Sequence, residues 1–226
     1  FHEKFPDSHM RAPNGLKTKL YDYHNPELLK YSERWFGVVY NEVLKPYIGA
    51  GRPVSFMQLD NETNFQWQSL YSHDFGAPAV ARYQKFLQTN YGSIAAVNAA
   101  HGRAWTGFDK VRPPTSFGAN TPEDQDWYRF QDSSIHEYLK LVRKMWENLG
   151  LREPEVLFVL AESYNAPKNG LLPSYRFRND PGQTGMMTVN LYPKTFETPQ
   201  KPLLNQPFKA DHDVISADSA NDYYLG

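Results

Sequence analysis

Three short apolar runs constrain this chain more than any other feature. Residues 54–59 (VSFMQL), 155–160 (EVLFVL) and 186–189 (MMTV) read as strands buried on both faces. Each runs into polar residues with little or no turn between. Asp60, Asn61 and Glu62 follow the first, Glu162, Ser163 and Asn165 the second, and Asn190 and Tyr192 the third. Long helical patterns separate the first two strands. Buried strands joined through helices are the pattern of a parallel sheet, so the predicted class is α/β.

The helices are marked by their ends. Asn25 and Pro26 read as an N-cap and first helical residue, with Glu27 in the first turn. Leu28, Trp35, Phe36, Val39, Tyr40, Val43 and Leu44 then recur at helical spacing, until Pro46 and the 49–51 Gly-Ala-Gly run stop the helix. Further helices fit 77–90, 93–100 and 126–149. In the last, Trp127, Phe130, Tyr138, Leu141, Val142, Met145 and Leu149 mark the apolar side, and Gly150 the C-cap. His73 and Asp74 read as a cap before the 77–90 helix. Residues 1–24 and 102–125 read as loops, with Trp105 and Phe108 anchoring the second, and the tail after 209 as helical.

A parallel sheet with polar strand ends fits a (β/α)8 TIM barrel, where the chemistry sits at the C-terminal ends of the strands. A doubly wound open sheet obeys a similar rule, but no Gly-rich fingerprint follows any strand here, so no nucleotide site is indicated. Three strands are fewer than a barrel needs. The expectation is one incomplete catalytic barrel domain over residues 1–226, with strands missing beyond its ends.

Composition excludes several classes. With 24 basic and 25 acidic residues the net charge is −1, which gives no electrostatic footprint for nucleic acid or an anionic membrane. No apolar run is long enough for a membrane-spanning helix. There is no cysteine, which removes disulfides and thiolate metal sites and leaves the compartment open. Aromatics are abundant at 15%, which suits stacking on sugar faces and an ordinary core alike.

Glu62 is the leading candidate for chemistry. A carboxyl at a strand end, walled by apolar groups, has a raised pKa and suits a general acid. A helix cap or an ion pair with Arg is the plainer use of the same residue. Asn61 beside it can hydrogen-bond a substrate hydroxyl. Trp67 and Tyr71, in the next loop, offer a stacking platform for a sugar, or pack on the rim of the fold. Asp211, His212 and Asp213 cluster in the tail, where a solvated face or cap is the plainer reading than a metal site. No metal or cofactor is expected.

The segment Gln58, Leu59, Asp60, Asn61, Glu62 resembles the strand-four motif of clan A glycoside hydrolases. Three ordered motifs downstream narrow the likeness. These are Tyr91-Gly92-Ser93-Ile94 with Asn98, then His101-Gly102-Arg103-Ala104-Trp105, then Val111-Arg112-Pro113-Pro114. From about Asn25 to Tyr192 the chain resembles glycoside hydrolase family 42. It departs from the family at His101, where Trp is usual, at Thr63 and Asn64, where Tyr-Gly is frequent, and in lacking the zinc-binding cysteines of some members.

The resemblance implies a retaining hydrolase of terminal β-galactosides or related β-glycosides, a carbohydrate partner and homo-oligomeric assembly. It makes Glu62 the acid/base and Asn61 the contact to the sugar hydroxyl next to the reacting carbon. It places Tyr192 close to the nucleophile, at the end of strand six. It places Glu162 on strand five, where it reads as a substrate-binding residue or ion-pair partner rather than a stand-in nucleophile. Nothing here matches the family's nucleophile, which is expected beyond Gly226. Other readings stay open: an agarase- or mannanase-type hydrolase, whose cleft would need exposed aromatics in 163–185, and a non-catalytic sugar-binding fragment.

Overall fold

The computed structural model describes residues 1, 3–54, 56–58, 60, 74–115, 121–151, 157–162 and 186–189. These fall into two compact units. The first holds the described residues within 1–32 and 64–135, the second those within 33–63 and from 136 onward. Among the described residues no helix is long and apolar enough to cross a membrane.

The second unit carries the sheet. Strands β3 (Phe56–Gln58), β4 (Leu157–Glu162) and β5 (Met186–Val189) lie in that order, β3 parallel to β4 and β4 parallel to β5. Gln58 stands opposite Val159, and Glu162 opposite Val189. The parallel arrangement is the one expected from strands buried on both faces. The second strand ends later than its sequence suggested, because Glu162 lies within β4 as its last residue rather than after it.

The first unit opens with a feature the sequence hid. Residues 1–24 contain an antiparallel hairpin, β1 (His9–Arg11) and β2 (Lys17–Tyr21). Its strands are three and five residues long and carry no apolar alternation, so only the turn residues Pro13, Asn14 and Gly15 announced it. Helix α1 (Pro26–Val39) starts as expected, with Asn25 Oδ1 accepting from the N–H groups of Glu27 and Leu28. It continues as a π-helical turn over Tyr40–Leu44. No residue of the helix or of this turn is fully buried; Trp35 in the helix is 63% exposed and Val43 in the turn 56%.

Helices α2 (Ala77–Tyr91), α3 (Ile94–His101) and α4 (Pro122–Asn148) follow, with a 3-10 turn at Phe108–Lys110. Ser93 caps α3 by accepting from Ala96 N, and Gly102 ends it in the left-handed region at φ 62°, where a side chain would be strained. Helix α4 begins earlier than its hydrophobic spacing suggested. Thr121 and Asp124 cap each other's backbone N–H groups, and Pro122 takes the first helical position.

The core of the first unit is aromatic. Tyr83, Leu87, Val97, Val111, Trp127 and Phe130 are buried together, with Trp105 and Phe108 packed against them. Those two residues therefore do anchor the 102–115 excursion. Tyr83 meets Trp127 edge-on at 4.8 Å between ring centroids. Each fully buried large side chain contributes roughly 1.5–3 kcal/mol. The buried face of α4 runs Trp127, Phe130, Gln131, Ile135, Leu139, Val142, Met145 and Trp146, whereas Leu141 is 38% exposed. In the second unit Phe36 stacks on Trp146 at 4.7 Å.

Candidate active site

Parallel strands present their C-terminal ends along one edge of a sheet, and β3, β4 and β5 do so here. Glu162 closes β4 at that edge, opposite Val189, the last residue of β5. Asp60, two residues past β3, is half-buried and has an interaction partner. Glu62 comes four residues after Gln58 in sequence, and Tyr192 three after Val189. Glu62, Asn61, Trp67 and Tyr192 lie outside the described residues, as do Tyr71, His73 and the 211–213 cluster. Of the expected site residues, the sheet therefore locates Glu162 alone.

Among the described residues no three His, Asp or Glu side chains group as a metal-binding set. Three polar clusters do stand out, all in the first unit. They were not anticipated from sequence, because their members come from distant positions.

The first surrounds Asp74. Its Oδ1 accepts from Arg11 N at 3.0 Å and Gly76 N at 2.8 Å, and Phe75 N donates to Arg11 O at 2.8 Å. Residues 74–76 are thereby tied to the hairpin. This corrects the expected helix cap, since Gly76 is the N-cap of α2 and makes no side-chain cap bond. A Cβ at Gly76 would stand 3.0 Å from Asp74 Oδ1, so the close approach favours glycine there. Burial pushes the Asp74 carboxyl up to about 6, against the two backbone N–H bonds, with Asp22 raising it further and Arg82 lowering it. Arg82 itself holds Asp22 through both terminal nitrogens, at 2.8 and 3.2 Å.

The second cluster is Tyr91, His101 and Asp126. Tyr91 OH donates to Asp126 Oδ2 at 2.5 Å, and His101 Nε2 lies 2.9 Å from the same oxygen. Arg129 reaches the other oxygen at 3.4 Å. The His101 side chain is fully buried, and its Nδ1 has no partner among the described residues. A proton on Nε2, donated to the carboxylate, is the arrangement that leaves no buried donor unpaired. Burial acts to raise the Asp126 pKa, but the bonds from His101 and Tyr91 outweigh it and the net value lies below the ordinary carboxylate range. Burial, with the bond to Asp126, holds the Tyr91 phenol up at about 12. The cluster ties the ends of α2 and α3 to α4.

The third pairs His24 with Ser134. His24 Nε2 lies 2.8 Å from Ser134 O and 3.1 Å from Ser134 Oγ. The contact resembles a nucleophile–base pair. Its shorter arm goes to a carbonyl, however, which takes the Nε2 proton and leaves that nitrogen no lone pair to activate the hydroxyl. It is a structural tie.

The comparisons with known proteins decide the family. The glycoside hydrolase family 42 model, described as beta-galactosidase, matches residues 1–157. The chain belongs to glycoside hydrolase family 42. Its fold is similar to that of a β-galactosidase from Bacillus circulans sp. alkalophilus, at TM-score 0.65 and 17% identity, covering 88% of this chain and 29% of that one. The β-galactosidase of the Antarctic haloarchaeon Halorubrum lacusprofundi is similar at TM-score 0.65 and 16% identity, over 87% of this chain and 30% of that one. A curated relative, a beta-1,2-glucosyltransferase from Ignavibacterium album, is 28% identical over 142 residues, which is 61% of this chain and 20% of the relative. This family 42 chain thus spans less than a third of each of these three proteins.

Proposed function

We propose that the complete protein is a retaining glycosidase that hydrolyses terminal β-galactosides or related β-glycosides, with Glu62 as acid/base. The observation that carries the reading is the family match across residues 1–157, which contains Glu62 and Asn61. In this reading residues 1–226 supply part of a single (β/α)8 barrel, including strands four to six. Glu62 gives its proton to the departing glycosidic oxygen while a glutamate from beyond Gly226 attacks the anomeric carbon. Glu62 then takes a proton from the water that releases the sugar. The two carboxyls must stand about 5–5.5 Å apart for this outcome. Asn61 holds the hydroxyl beside the reacting carbon, Trp67 and Tyr192 bound the sugar, and Glu162 binds it from the end of β4.

One finding favours a second reading. The curated relative is a glucosyltransferase. The same covalent intermediate serves transfer when a sugar hydroxyl replaces water as the acceptor, with Glu62 activating that hydroxyl instead.

The test is the fate of nitrophenyl β-glycosides with the complete protein, followed by proton NMR. The reading expects the β-anomer as first product, with galactosides turned over fastest. A first product in the α-configuration contradicts retention. Longer saccharides in place of free sugar select the transferase reading.

A further inference from the structure

The first unit contains a cleft that none of the proposed catalytic residues lines. It encloses about 290 Å³ between the segment after α3 and the first turn of α4. One wall carries Trp105, Arg112, Pro113 and Thr115, and the other Glu123, which Arg103 bridges at 2.7 Å.

We propose that this cleft is a second saccharide-binding site, accepting one neutral hexose unit. Size is the first argument. The volume lies at the lower limit of the about 300–1,000 Å³ usual for small-molecule sites, which suits a single sugar ring rather than an oligosaccharide. Chemistry is the second. Trp105 and Pro113 give apolar walls for the C–H face of a pyranose. Trp105 is held in place by its backbone, since Asn98 donates to its carbonyl at 2.9 Å and accepts from its N–H at 2.8 Å. Its indole N–H is a buried donor with no acceptor among the described residues.

The polar wall offers both halves of what a hydroxyl needs. Arg112 spends Nη1 on the carbonyls of Asp109 and Val111, each at 2.9 Å, so that among the described residues Nε and Nη2 remain as donors. Glu123 supplies carboxylate oxygens as acceptors. Charge is the third argument, and it decides against an anionic ligand. Arg103 is neutralised by Glu123, and Asp124 sits buried in the same turn with its carboxylate on Thr121 N. Two acids at the helix start offset the positive end of its dipole. A uronate or sulfate would meet this pair, whereas a neutral polyol meets matched donors and acceptors.

The inference rests on the carbohydrate reading above but on separate residues, so the two can fail separately. The test uses the complete protein carrying Glu62→Gln, titrated calorimetrically with methyl β-D-galactopyranoside, methyl β-D-glucopyranoside and methyl β-D-mannopyranoside. The same titrations are repeated after adding Arg112→Ala, which removes the donors, or Thr115→Arg, which fills the cleft from an exposed position. The expected result is one binding component that both additions weaken by at least about tenfold, the scale of a lost charge-assisted hydrogen bond. Hydrolysis by Arg112→Ala and Thr115→Arg with Glu62 intact stays at the wild-type rate. If neither addition changes any binding component, the site does not exist. If the wild type hydrolyses no glycoside but the Arg112- and Thr115-sensitive component remains, the catalytic reading fails and the second site stands.

Discussion

At the scale of single residues, two buried carboxylates among the described residues are shifted in opposite directions. Asp74 keeps its proton up to about pH 6 when folded, against an ordinary value of 3.8. Between those values the folded state binds more protons than the unfolded one. Stability from this residue is therefore fullest below about pH 4 and is lost as pH rises through 6, by up to roughly 3 kcal/mol. Asp74→Asn keeps an oxygen for Arg11 N and Gly76 N but removes the charge. Its melting temperature relative to wild type is expected to rise between pH 4 and pH 7, and a flat difference contradicts the assignment. Asp126 is the opposite case, because His101 and Tyr91 both bond one of its oxygens. Asp126→Ala leaves those buried groups without their acceptor and should cost about 2–4 kcal/mol in denaturant unfolding. A loss below about 1 kcal/mol would mean the network adds little. Neither cluster was legible in the sequence. Asp74 looked like a cap because it precedes a helix, and only the fold brings Arg11 beside it.

At the scale of elements, the sequence was readable where a local rule governs. Asn25 before Pro26 is such a signal, and Ser93 and Gly102 obey the same rules at the ends of α3, which the sequence reading placed only as a helix over 93–100. Ser93→Ala removes the bond to Ala96 N and is expected to destabilise by about 0.5–2 kcal/mol. Faster hydrogen exchange at the Ala96 amide would report the loss, and an unchanged rate would show the cap to be idle. Reading failed where tertiary packing governs. The buried face of α4 includes Ile135, Leu139 and Trp146 and excludes Leu141, because the face drifts around so long a helix. In α1 the apolar spacing was clear, yet Trp35 faces water. The hairpin in 1–24 was missed because strands so short carry almost no periodic signal.

At the scale of the whole molecule, the parallel order of β3, β4 and β5 is what the apolar runs with polar ends implied, and the family match agrees with the motifs from Tyr91 to Pro114. The strands themselves were legible from their apolar runs, but the end of β4 was misplaced by two residues, because an acidic residue there read as lying past the strand when Glu162 is its last residue. The proposed barrel and the proposed pairing of Glu62 with a second carboxyl would depend on residues far apart in sequence, so no local pattern could encode them. Glu162 separates the two roles open to it. As a binding residue, Glu162→Gln raises KM for galactosides several-fold and leaves kcat for an activated aryl glycoside within about tenfold. A kcat loss of about 10⁴ or more, with formate or azide restoring turnover, would make it the nucleophile instead.

The most direct test of the central claim is the dependence of kcat/KM on the leaving group in Glu62→Gln. With Glu62 as acid/base, phenyl and alkyl β-galactosides, which need protonation, lose about 10²–10⁴-fold. Dinitrophenyl β-galactoside, whose departing oxygen needs no proton, keeps most of its kcat/KM. An equal loss across the series, or no loss at all, would contradict the assignment of Glu62.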